Sequence, residues 1–507
     1  TVPRAVRRER HAAVARHVEE SIAGGTETLP AILAYHWREA GEGSRAIPYL
    51  LAAADAARRG WAQEAVVDLY SKALELAEDD ALRRDIRLRR GMALVELADY
   101  EAAVVELTEL LPELHGPELL DALLALGHAT LWTERAVETL ATAEQAAQLT
   151  EETGDETAVA AVKAMESQAL AMRGDEGDLE RALVLGDQAL DLWVPGARPS
   201  DLRHHLHLHA DATYWVGQYE RSIELSRRTR ALAADVHSAE SLLRGGGLEA
   251  LALAGIGRHE EAIAIWDELF ELARELGQNR RVLLNYSSLA YRELLDLDEA
   301  RRRTEEALEL SAHETFGMPK QFAGSDLLFT QLLVGDVGGA QAAWPSLWAG
   351  AEQATGWTTW LIAGRLASAR AEIALHAESG ETAVEWAGRA IEISRRTKRR
   401  KYEARALTVL GQAHASLGRK EEALAASRAA VAIADELVGP PARWDTRAAL
   451  GAVAHTLGED DTAAAAYEEA GRLVETFAGT LAPERAERLL AAPLVEEILS
   501  RASRRPA

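Results

Sequence analysis

The chain has 507 residues, none of them cysteine, and 81 Asp and Glu against 56 Lys and Arg give a net charge of −25. This composition excludes disulfides and thiolate metal sites, and its overall negative field repels nucleic acid and anionic membrane. No apolar run approaches the ~20 residues that span a bilayer and no signal peptide is visible, so a cytoplasmic location is expected; the opening TVPRAVRRER lacks a Met and fits a piece of a longer protein.

Apolar residues make up 48% of the chain but aromatics only 5%, which suits helices rich in Ala and Leu. Residues 1–23 predict a helix with Ala12, Ala13, Val14, Val18 and Ile22 on one side. A second helix covers 29–41, with Leu29, Ile32, Leu33 and Trp37 on one face. Ala46, Tyr49, Leu50, Ala53 and Ala57 mark a third, and 61–80 a fourth. These helices form an N-terminal segment, 1–80.

A regular array is expected over 81–478. Its first clear hairpin is 90–114, with Asp99 and Tyr100 at the turn. The segment VPGARPSD at 194–201 reads as a loop between repeats, with Asp201 as N-cap of the next helix. Residues 479–507 read as a capping helix and tail.

Small residues set the period. Gly411 and Ala423 stand twelve apart, and Ala430 follows seven later. The same twelve-residue step recurs at Gly91/Ala103, Gly127/Thr139, Ala210/Ser222, Ala250/Ala262, Ser288/Ala300, Leu328/Ala340, Ala371/Ala383 and Gly451/Ala463. From Ser222 to Ala463 the second marker advances by 40, 38, 40, 43, 40 and 40 residues. One such hairpin cannot bury its apolar faces alone, so the repeat predicts an all-α, right-handed superhelical solenoid of antiparallel hairpins. Gly217, Gly257, Gly335, Gly418 and Gly458 fall at the turns, where a left-handed residue ends the first helix.

Gly411, Ala413, Gly418, Ala423 and Ala430 resemble the tetratricopeptide signature, as do Gly91, Ala93, Tyr100 and Ala103. The resemblance covers about residues 29–478. The N-terminal pattern is similar to the passage from winged helix to helical repeats in signal-transduction ATPases of the STAND class, including large LuxR-type and cyclase-linked regulators. His11, His36, Ala40, Gly41, Ala46, Tyr49, Ala53, Ala65, Tyr70 and Ala73 carry that likeness. It implies a non-enzymatic sensor or scaffold region. No G-x-x-x-x-G-K-[ST] run occurs, so no nucleotide hydrolysis is expected of these residues.

Stacked hairpins of this type line a hollow with their first helices. In the unit marked by Ala210 the hollow-facing positions are His204, His207, Asp211, Tyr214 and Trp215. Their spacing suits a polar recognition surface, and less readily a divalent metal. His209 is expected to be a core residue. Phe322, Phe329, Trp344, Trp348, Trp357 and Trp360 form an aromatic patch, read either as a peptide pocket or, preferably, as filling between two imperfect repeats.

RRTKRRK at 395–401 reads as a solvated helix end. The inferred hollow-facing positions carry no Lys, which argues against a carboxylate clamp. The expected partner is a protein, a peptide or a small ligand in the concave groove. No cofactor or metal is expected, and no direct contact with nucleic acid or membrane. The alternatives are a free-standing adaptor bridging two proteins and a metal-dependent enzyme using the 204–215 face.

Overall fold

The computed structural model describes residues 3–23, 30–59, 62–235, 238–312, 318–377 and 379–503. Among these residues there are 26 α-helices, one short 3-10 segment at Leu111–Glu113, one π turn at Thr358–Ile362 and no strand. The chain is all-α, built of successive antiparallel hairpins. No helix among the described residues is long and apolar enough to cross a membrane.

The expected helices form for local reasons. Pro199 opens the helix Pro199–Trp215, so Asp201 lies in its first turn rather than at the N-cap. There its carboxylate faces the positive end of the helix and pairs with Arg198 at 3.2 Å. Asp99 caps the helix Tyr100–Leu110 by accepting from the Ala102 amide.

The twelve-residue steps become helix contacts. Ser222 Oγ donates to the Ala210 carbonyl at 2.8 Å. A Cβ on Gly411 would stand 3.1 Å from the Ala423 carbonyl, so the two helices meet backbone to backbone there. Ala423, Ala430 and Ala463 are buried between neighbouring helices.

Two compact units are present. One comprises Thr1–Ala169, Gln188–Asp201 and Ala233–Ala239; the other comprises Leu170–Asp187, Leu202–Leu232 and Glu240–Ala507. In the first unit, Glu19 organises the N-terminal helices. Its carboxylate accepts from the Trp37 indole and the Tyr49 hydroxyl, each at 2.8 Å, and pairs with Arg45 at 2.9 Å. The Arg45 guanidinium lies 3.6 Å over the Trp37 ring. His11 and His36 meet through their Nδ1 atoms at 2.9 Å.

The second unit folds back on itself. Hydrogen bonds join Trp360 to Met172, Arg488 to Asp296, and Glu260 to both Ala482 and Arg485, across 188 to 225 positions. The turns at Gly217 and Gly257 take φ of +90° and +89°, as the sequence predicts. They also serve a purpose the sequence does not show. A Cβ at Gly217 would meet Leu437 at 2.5 Å, and one at Gly257 would meet Pro440 at 2.8 Å. Glycine at these turns lets a hairpin several repeats later pack directly on the backbone.

Candidate functional site

The helix Pro199–Trp215 carries the first candidate face. His207 and Trp215 are buried, while His204 and Asp211 are half-buried. His204 Nε2 lies 2.7 Å from an Arg203 guanidinium nitrogen. Burial lowers the His207 pKa to about 3, assisted by the positive charges of Arg244 and Arg203. Burial raises the Asp211 pKa to about 7, against the Trp215 indole, which donates to it at 3.1 Å, and Arg244. A neutral imidazole and a partly protonated carboxyl therefore share this face. Among the described residues no group of three or more His, Cys, Asp or Glu side chains is placed to hold a metal. His209 is buried, stacked on His205 at 5.4 Å and bonded to Asp187 at 3.2 Å.

Trp215 reaches the centre of the second unit. Its ring contacts Phe322 at 6.0 Å edge to face and Tyr402 at 6.4 Å. Arg399, only 1% exposed, lies over this group: 4.0 Å from the Tyr402 ring, 4.8 Å from Trp215 and 5.6 Å from Trp360. Its Nη1 donates to the Leu361 carbonyl at 2.7 Å, from the π turn Thr358–Ile362. Arg365, fully buried, lies 4.4 Å over Phe322 and pairs with Asp326, which also pairs with Arg292 at 2.7 Å.

These guanidinium groups exchange water for aromatic faces and one shared carboxylate. Burial brings the Arg399 pKa down to about 10. Burial alone would raise that of Tyr402, but Arg365 and Arg399 outweigh it and hold the phenol below its ordinary value.

The aromatic patch is divided. Phe322 and Phe329 belong to the centre, under Arg365 and, for Phe329, under Arg405 at 4.2 Å. Trp357 and Trp360 form a pair at 5.6 Å, both buried. Trp344 and Trp348 stack at 5.3 Å with Trp386 edge-on to both. The Trp344 indole there donates to the Leu366 carbonyl at 2.8 Å.

Several central residues escape a sequence reading. The basic run 395–401 is not wholly a solvated end, because Arg399 is buried. Lys401 lines the interior, where the sequence count placed no lysine, and it pairs with Glu293. Burial opposes ionisation of Glu293, but Lys401 and then His259 outweigh it and hold its pKa at about 2. The available signal was helical spacing: Lys401 and Arg405 are four apart, on the face that also carries Tyr402.

A cavity of about 130 Å³ opens beside this centre, lined by Tyr214, Phe329, Lys401, Tyr402, Trp444 and Asp445 among others. A larger groove of about 1620 Å³ runs between the turn at Leu295–Asp298 and the helices Pro483–Leu490 and Pro493–Ala502. Leu295, Leu333 and Leu494 line both, so the groove leads to the cavity. Leu333 and Leu494 are exposed there, as is Val334 in the groove. Apolar side chains exposed together in a groove mark a place where another molecule can sit.

The hairpin in which Gly411 meets the Ala423 backbone lies in the same unit. Residues 404–436 match the tetratricopeptide repeat. The tetratricopeptide match takes in most of the helices Arg400–Ser416 and Lys420–Leu437.

No curated protein matches the chain. Among solved structures, the APC/C hetero-tetramer Cut9–Hcn1 aligns with 99% of this chain and 95% of its own at 16% identity, with a TM-score of 0.51. The apo form of RapI aligns with 70% of this chain and 98% of its own at 13% identity, with a TM-score of 0.45. The matched repeat and the Cut9–Hcn1 alignment make the fold a tetratricopeptide-like helical repeat, a type suited to a protein-binding scaffold.

Proposed function

We propose that this chain is a non-enzymatic binding scaffold whose second unit receives a protein or peptide segment in the groove between Leu295–Asp298 and Pro483–Ala502. The observation that carries this is the continuity of an apolar-edged groove with a charged, aromatic-walled cavity. Such a pairing gives area along the groove and selectivity at its end.

Panning a random peptide library against the intact chain tests it. Enriched peptides should lose at least about tenfold in affinity on Leu494→Arg, which places a charge on an exposed groove position. No enrichment, or enriched peptides indifferent to Leu494→Arg, would reject the reading.

Within a longer protein, the same scaffold serves as the sensor region of an ATP-dependent signalling or transcription regulator in the cytoplasm. The support is the likeness of the N-terminal residues His11, His36, Gly41, Tyr49 and Tyr70 to the junction in STAND-class ATPases. A reading frame without an ATPase upstream of Thr1 would remove it. The net charge of −25 supports partners other than nucleic acid.

A further inference from the structure

Each cation that lines the cavity already has a carboxylate. Arg292 pairs with Asp326 at 2.7 Å, Lys401 with Glu293, and Arg405 with Glu372 at 2.7 Å. Asp445 differs. It lines the cavity, is accessible, and makes no ion pair among the described residues. The charged groups that act on it are Arg405 and Glu372, which are bonded to each other through two hydrogen bonds of 2.7 and 3.0 Å. The two charges that act on Asp445 therefore belong to a pair that is neutral overall. Lost solvation raises its pKa, Arg405 lowers it and Glu372 raises it again.

The remaining walls favour the same kind of occupant. Tyr214 and Trp444 line the cavity, and aromatic faces attract cations; the other two rings, Phe329 and Tyr402, already lie under Arg405 and Arg399. Leu289, Leu333 and Leu494 accommodate an aliphatic stem. A volume of about 130 Å³ suits one side chain rather than a folded element.

We propose that the cavity takes the cationic side chain, Arg or Lys, of a peptide lying in the groove, with Asp445 as its counter-ion. This rests on the peptide-binding reading above and specifies the ligand's chemistry. The incoming charge gives Asp445 the partner it lacks, so binding favours the ionised carboxylate. Affinity therefore rises with pH as Asp445 ionises.

The test uses calorimetry on the intact chain with the acetylated, amidated peptide Leu-Ala-Arg-Ala-Leu, its citrulline and glutamate counterparts, and free agmatine. The arginine peptide should bind about tenfold or more tightly than the citrulline peptide, and Asp445→Asn should abolish that difference while leaving thermal melting unchanged. Equal binding of arginine and citrulline peptides overturns the proposal, as does tighter binding of the glutamate peptide or a preference that survives Asp445→Asn.

Agmatine binding as tightly as the peptide would assign the cavity to a free amine and overturn the peptide as occupant. Peptides that bind through Leu494 without regard to charge would sink this inference alone. Failure of every peptide, together with an empty library screen, would sink the binding reading as well.

Discussion

The indole of Trp360 donates a 3.0 Å hydrogen bond to the carbonyl of Met172, 188 positions earlier in the chain. Gly174, at φ +66°, makes room for it: a Cβ there would stand 2.3 Å from the ring. This contact ties the turn after Arg173 to the π turn at Thr358–Ile362. Arg399 lies 5.6 Å over the same ring, so the tie also supports the central arginine cluster.

Trp360→Phe keeps most of the buried area and removes the donor, which should cost about 1–2 kcal/mol in urea unfolding. Trp360→Ala should cost ~3–5 kcal/mol, because it leaves a cavity where a side chain 1% exposed now sits. Equal losses for the two variants would mean that packing contributes nothing beyond the hydrogen bond.

Gly217 and Gly418 both turn the chain with positive φ, +90° and +70°. Only Gly217 has a neighbour, Leu437, within reach of a new Cβ. Alanine at either position should cost about 1–2 kcal/mol for the left-handed backbone. Gly217→Ala should cost at least ~1 kcal/mol more, since Leu437 must move. Thermal melts of the two variants read the difference, and matching values would contradict the close approach.

Asp211 has a folded pKa of about 7, above its ordinary 3.8. Between those values the native state holds the proton that the unfolded chain has released. Its contribution is therefore complete below pH 3.8 and is lost as pH rises through 7. Asp211→Asn should stabilise the protein at pH 8 by ~1–3 kcal/mol and have little effect near pH 3.5. Asn can still accept from the Trp215 indole. Denaturant midpoints at the two pH values check this.

His207 has the opposite sign. Its folded pKa, about 3, lies below the ordinary 6.5, so the unfolded state takes up the proton first. Its contribution is present above pH 6.5 and is lost as pH falls toward 3, a total on the order of 3–5 kcal/mol. His207→Leu should flatten the decline of melting temperature between pH 6.5 and 4, whatever it does to the starting value. An unchanged slope would show that His207 is not neutral in the native state.

The repeat was legible because its cause is local. Gly411 with Ala423 and Ala210 with Ser222 lie in adjacent helices of one hairpin, a fixed twelve positions apart, and contact between the two helices admits only small side chains. The same reading placed Tyr214 and Trp215 on one face and Phe322, Phe329 and Trp360 in one patch, but did not bring the two groups together, as the Trp215–Phe322 contact does. It placed Trp344 and Trp348 in one patch with Trp360, whereas the structure stacks them against Trp386. Arg399 escaped notice because six basic residues within seven positions look like a solvated helix end, and only distant aromatic faces make its burial tolerable.

By itself, then, the sequence determined the helices, their hairpin pairing and their period of about forty, since capping, helical propensity and small-residue contacts act within a few dozen positions. Tertiary structure alone decided which inner faces meet. It joined Met172 to Trp360, Lys401 to Glu293 and the Leu295 turn to Leu494, and left Asp445 with no ion pair among the described residues. Those contacts depend on how the small rotation from each hairpin to the next accumulates over several repeats, a geometric sum to which no single stretch of residues corresponds.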